Sequence, residues 1–179
     1  EIVDTDGTAF YQFLMLFNSL DENKRLPIRA SFVTDEDQFT DSKDKEYNLD
    51  SLIENGYAKL NELREGINAG QVNGRVNNMN AMANGQPNIK ICSGQKTLEY
   101  QICKANVYAG IERTKGTWLY ELVQQVNADG LAKVESYIAG LGNREMNDEE
   151  QQNVALLIWK CLPAKAEFAQ ALNSYLLEK

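Results

Sequence analysis

The sequence predicts an α/β protein in which a parallel sheet is flanked by helices, with a mostly helical C-terminal part. Three observations lead there. The apolar run at 28–33 reads as a short buried strand. Before it, Phe10, Phe13, Leu14, Phe17 and Leu20 recur at helical spacing, and residues 1–4 read as the end of an earlier strand. Strand, helix, strand is a βαβ order, which implies parallel strands. Beyond Leu98 the apolar residues recur almost wholly at helical spacing.

Asp6-Gly7-Thr8 is a turn that opens the first helix, and its backbone N–H groups could hold a phosphate or a carboxylate. Residues 21–27 form a polar loop, and 38–48 is a charged stretch. Leu49, Leu52, Ile53, Tyr57, Leu60 and Leu63 predict one amphipathic helix. Residues 66–85, rich in Asn and Gly, predict a long loop. Residues 88–92 form the next strand, followed by a Ser-Gly-Gln-Lys turn and a helix over 98–109. Trp118, Leu119, Leu122, Val123 and Val126 make one helical stripe, and Leu131, Val134 and Ile138 another. Asn147 with Glu150 is a capping box for a helix through Trp159, and Pro163 opens the last helix.

Composition removes several classes. With 179 residues, the chain can bury one core, with or without an appendage. No run approaches the roughly 18 apolar residues of a membrane span, so no membrane partner is expected. A net charge of −8 excludes a chain that binds DNA by overall charge alone. The absence of histidine excludes Ser-His-Asp triads and histidine metal ligands within the chain. Cys92, Cys103 and Cys161 fit neither a zinc site nor a redox pair and read as reduced thiols of a cytoplasmic protein.

The chemistry that remains is carboxylate, lysine and hydroxyl chemistry. Thr34-Asp35-Glu36-Asp37 follows the 28–33 strand directly. Side chains two apart on a strand share a face, so Asp35 and Asp37 would point the same way. Hard oxygen donors at a strand end suit Mg²⁺ or Mn²⁺. An acidic surface loop is the plainer alternative. Lys96-Thr97-Leu98-Glu99-Tyr100 follows the 88–92 strand. If that strand runs parallel to the first, Thr97 and Glu99 leave the sheet at the edge of Asp35 and Asp37. Alternatively, Glu99 is a first-turn glutamate favoured by the helix dipole. Lys165 sits in the first turn of the last helix, where a cation is disfavoured, on a stripe with Phe168 and Leu172. It is either beside an anion or a lysine snorkelling from a core edge.

These segments, in this order, resemble the Toprim nuclease domain of the OLD family (overcoming lysogenization defect), which includes the nuclease subunit of Gabija anti-phage systems. Residues 1–10 and the helix after them resemble that family's second strand, its glycine turn and its helix. Residues 28–37 resemble the third strand with its D-x-D motif, 89–106 the following strand with a T-L-E-Y-like motif, and 165–172 the C-terminal lysine motif. About half the chain is covered. The resemblance implies a Toprim core over 1–112 with an insertion at about 38–87, and a helical part over 113–179 that carries the lysine. It also implies a DNA endonuclease with a two-metal site of Mg²⁺ or Mn²⁺. Asp35 and Asp37 would be metal ligands, with Asp41 or Asp44 as a further acidic one. Lys165 would be the catalytic lysine, and Glu99 with Thr97 the accessory residues.

One departure from the family pattern is plain. The glutamate of a V-E-G-like first motif is missing, Glu1 and Asp4 fitting the second strand better, so the first strand is expected upstream. No Walker A pattern G-x-x-x-x-G-K-[ST] occurs, so ATP would bind only through an N-terminal ATPase domain outside this sequence. The resemblance implies a homo-oligomer assembled through that domain, and a helicase-like partner. The competing expectations are a non-catalytic Toprim-like module that binds DNA or a partner, and an unrelated α/β interaction domain.

Overall fold

A computed structural model of the chain describes residues 10–17, 19, 21–26, 28–36, 46–70 and 74–177. The fold is mixed α/β, with a two-stranded parallel sheet among helices. It divides into two compact units, one of 1–38 with 70–98 and one of 39–69 with 99–179.

The first unit holds the sheet. Strand β1 spans Ala30–Asp35 and strand β2 spans Ile89–Gly94. They pair in parallel from Ala30 opposite Ile89 to Asp35 opposite Gly94. Strand β1 runs two residues later than the sequence suggests, which brings Asp35 into the strand itself, and β2 starts one residue later and ends two later. Phe32 and Thr34 are buried on one face of β1, whereas Ser31 and Val33 are exposed on the other. Helix α1, Phe10–Phe17, and helix α4, Gly74–Ala83, belong to the same unit. Its core consists of Leu14, Phe32 and Met79, with Phe17, Ala30, Met82, Ile89 and Ile91 packed against them. Phe17 meets Phe32 edge-on, with centroids 5.8 Å apart. Residues 1–4, expected as a strand, lie outside the described residues.

Helix α4 corrects the expected loop over 66–85. Arg75, Val76, Met79 and Met82 are partly or fully buried along its length, so packing against the sheet overrides a composition rich in Asn and Gly.

The second unit is helical. Helix α2, Leu49–Ile53, and helix α3, Ala58–Ala69, are separate where one helix was expected. Between them Asn55, Gly56 and Tyr57 all adopt positive φ, at 48°, 65° and 66°. Gly56 takes this conformation freely, and Asn tolerates it better than most residues. The turn lets Tyr57 meet Tyr137 edge-on, centroids 4.8 Å apart, while Leu52, Leu60 and Leu63 stay in one core.

Helices α5 (Leu98–Asn106), α6 (Ile111–Lys115), α7 (Trp118–Val126), α8 (Ala128–Gly140), α9 (Asp148–Cys161) and α10 (Lys165–Leu177) follow. Apart from Leu98, they belong to this second unit. Helix α9 is central, with residues 153–158 all buried. Its expected capping box is present: the Glu150 N–H donates to Asn147 Oδ1, and the Asn147 N–H donates back to Glu150 Oε2, both at 2.9 Å. Arg144 donates to Glu150 Oε2 at 2.8 Å, and the guanidinium with the cap holds the Glu150 carboxyl down to about 2. Pro163 precedes α10 rather than opening it; the Phe168 N–H donates to Ala164 O.

Candidate functional site

The C-terminal edge of the parallel pair carries Asp35 on β1 and leads from β2 towards Lys96 and Thr97. Parallel pairing brings both strand ends to the same side, so Asp35 and Gly94 stand opposite each other. The ladder extends one residue further, because the Glu36 N–H donates to Gly94 O at 2.7 Å. Ser93 Oγ donates to Glu36 Oε1 at 2.5 Å, which ties the Glu36 carboxylate to β2. By strand alternation Asp35 shares the open face with Ser31 and Val33, while Glu36 shares the face of Thr34. The two neighbouring carboxylates therefore leave the strand on opposite faces.

No sequence motif marks Arg75. From the first turn of α4 its Nη2 donates to the Asp35 carbonyl at 3.0 Å and reaches Thr34 Oγ1 at 3.5 Å. The segment around it reads as a loop in the sequence. Lys96, the first residue of the Lys-Thr-Leu-Glu-Tyr motif, also stands here. It is 1% exposed, two residues beyond Gly94, and it interacts with a neighbour. A lysine so enclosed requires anionic or multiple polar neighbours, because a buried unpaired ammonium is costly.

Of the expected site residues, Asp35 is half-buried at the end of β1. Asp37, Asp41 and Asp44 lie outside the described residues. Thr97, half-buried, directly precedes α5 within the sheet unit. Glu99 is the acidic residue of the first turn of α5, in the helical unit, where its charge helps push the buried Cys103 thiol up. Burial is the larger cause of that rise, and the Cys161 thiol, buried as well, is pushed up to about 12.

Lys165 opens α10 and is exposed. Phe168 alone of that stripe is fully buried, because Trp118 packs near it, centroids 6.2 Å apart, and stacks on Tyr175 at 4.8 Å.

Among the described residues, no group of three or more Asp, Glu, Cys or His could hold a metal ion. The donors at the edge are carboxylate oxygens. Their chemistry suits a magnesium-like ion, which is usually held by one or two carboxylates, with water and substrate phosphate completing its shell. The opposite edge of the sheet carries a shallow hollow of about 300 Å³, lined by Arg25, Leu26, Ile28, Arg29, Pro87 and Asn88. It lies at the strand beginnings, away from Asp35, and its wall is largely apolar.

Among the described residues, no helix is long and apolar enough to cross a membrane. No family model, no curated protein and no solved structure matches this chain.

Proposed function

We propose that this chain carries the acidic edge of a metal-dependent DNA endonuclease of the Toprim type, in an OLD-like, Gabija-related protein of anti-phage defence. One observation carries the reading. Asp35 ends a parallel strand, and within the same unit Lys96-Thr97-Leu98 follows the end of the neighbouring strand on the same side. Open α/β sheets place their chemistry at the carboxyl ends of strands. The order of motifs along the chain supports the same reading.

In this reading Asp35, with Asp37 and Asp41, binds divalent metal, Mg²⁺ or Mn²⁺. Such ions supply an activated water and stabilise the leaving oxygen in phosphodiester hydrolysis. Lys165 offsets negative charge on the scissile phosphate. Glu99, with Thr97, is the accessory group. An OLD-like protein would bind ATP through an ATPase domain, self-associate through it and work with a helicase-like companion.

The test is plasmid cleavage by the full-length protein with Mg²⁺ or Mn²⁺, beside Asp35→Asn and Lys165→Ala. Cleavage that vanishes in both folded variants is the expected result. Cleavage unchanged in Asp35→Asn overturns the assignment.

A second reading is a non-catalytic Toprim-like module that binds DNA or a partner. It is favoured by the absence of a V-E-G-like first motif from this sequence. It predicts a folded full-length protein that binds DNA or a partner but does not cut, whatever metal is added.

A further inference from the structure

We propose that Arg75 is a positioning residue for this acidic edge: its guanidinium pins the peptide that follows Asp35 and so sets where the Asp35 carboxylate stands. The proposal rests on the metal-dependent reading of that edge.

The geometry of the strand carries it. In an extended strand, the N–H and C=O of one residue point to the same side, and successive residues alternate. The N–H groups of Ala30 and Glu36 donate into the partner strand, to Asn88 O at 2.8 Å and Gly94 O at 2.7 Å. The Asp35 carbonyl therefore points to the side of β1 that β2 does not cover. Arg75 Nη2 meets it there at 3.0 Å.

A single peptide plane, joining Asp35 to Glu36, is thus held from both sides: its N–H by β2 and its C=O by α4. That plane directly follows Asp35, so its orientation fixes the backbone from which the carboxylate projects.

Two further features suit a positioning role. The bond uses the carbonyl oxygen, so it takes up neither carboxylate oxygen of Asp35. Arg75 also reaches Thr34 Oγ1 on the core face, while Asp35 projects from the other face by alternation. The cation therefore approaches from behind the strand. A guanidinium donating to a carbonyl makes a charge-assisted bond, stronger than a neutral one, at a strand end that would otherwise fray. The base of α4 is anchored in turn, since Val76 and Met79 are fully buried.

The experiment is Mn²⁺ binding to the full-length protein, read by electron paramagnetic resonance of the free ion. Parent, Asp35→Asn, Arg75→Ala and Arg75→Lys are compared at a temperature where all are folded by circular dichroism. Asp35→Asn should lose the tight Mn²⁺ site. Arg75→Ala should weaken the Mn²⁺ Kd roughly tenfold, the scale on which groups that orient a metal ligand act. Arg75→Lys should recover part of that loss. In cleavage assays the half-saturating Mn²⁺ should rise in Arg75→Ala while the KM for DNA stays the same.

A folded Arg75→Ala that binds Mn²⁺ as tightly as the parent, while Asp35→Asn does not, overturns the positioning role and leaves the nuclease reading intact. A parent with no Mn²⁺ site, or an Asp35→Asn that binds unchanged, overturns both. Should Arg75→Ala fail to fold, Arg75→Gln, which keeps a donor on a shorter arm, replaces it under the same two outcomes.

Discussion

In the helical unit the buried residues form one continuous cluster that runs from Tyr47 to Phe168 and draws on α2, α3, α5, α7, α8, α9 and α10. In the sheet unit the corresponding cluster is Leu14, Phe32 and Met79 with a thin surround. Val33, on the strand face that also carries Asp35, is 57% exposed. The contrast separates two tasks. The helical unit concentrates apolar burial, the main source of stability. The sheet unit holds its polar edge by directed bonds: Arg75 to the Asp35 carbonyl, Ser93 to Glu36, and Glu36 to Gly94. Segments with few buried contacts are the ones that open locally, and functional edges are often drawn from them.

The largest test of this contrast is in the two cores. Leu157→Ala, at a fully buried position of α9, should cost about 3–4 kcal/mol, because the surrounding helices cannot close the cavity. Met79→Ala in the smaller core should cost about 2 kcal/mol, since a thin cluster relaxes more easily. Calorimetric unfolding of both variants reads the difference; equal losses would erase the distinction between the units.

Gly130→Ala should cost about 1–2 kcal/mol, chiefly through a lost helix cap. A Cβ on Gly130 would stand 2.7 Å from the Asn127 side chain, whose Oδ1 accepts the Gly130 N–H at 2.9 Å. The same Asn127 donates to Cys161 O at 3.3 Å, so the clash would also loosen the end of α9. Urea unfolding checks it, and a variant as stable as the parent would show that Asn127 has another place to go.

A smaller effect should appear in acid. The Glu150 carboxyl is held down to about 2, below its ordinary 4.5, first by Arg144 and then by the Asn147 N–H. A lowered carboxylate stabilises the fold fully above the ordinary value, and that contribution is lost as pH falls from about 4.5 towards 2. Melting temperatures measured from pH 5 to pH 2 should therefore fall more steeply in the parent than in Glu150→Gln. Parallel curves would remove Glu150 from the account of acid stability.

The mildest test uses the thiols. Cys92 is half-buried in β2 of the sheet unit, whereas Cys103 and Cys161 are buried in the helical unit with their thiols pushed up. A thiol reagent should label Cys92 first and the other two only as the helical unit unfolds, because thiolate and access are both required. Simultaneous labelling of all three would mean that the two units open together.

The sequence alone determined the elements whose cause is local. The parallel α/β class, the stripes of α7 and α8 and the Asn147–Glu150 box were all legible, since helical periodicity and capping are written in neighbouring residues. So was the position of the Asp35 motif at a strand end. Where packing decides, the sequence misled. A segment rich in Asn and Gly became α4, and one amphipathic run split at Gly56.

What the tertiary structure decided is which distant residues share an edge. The pairing of Asp35 with Gly94 and the reach of Arg75 to the Asp35 carbonyl join positions about forty to sixty residues apart. Such contacts arise from register and burial, which no local pattern encodes.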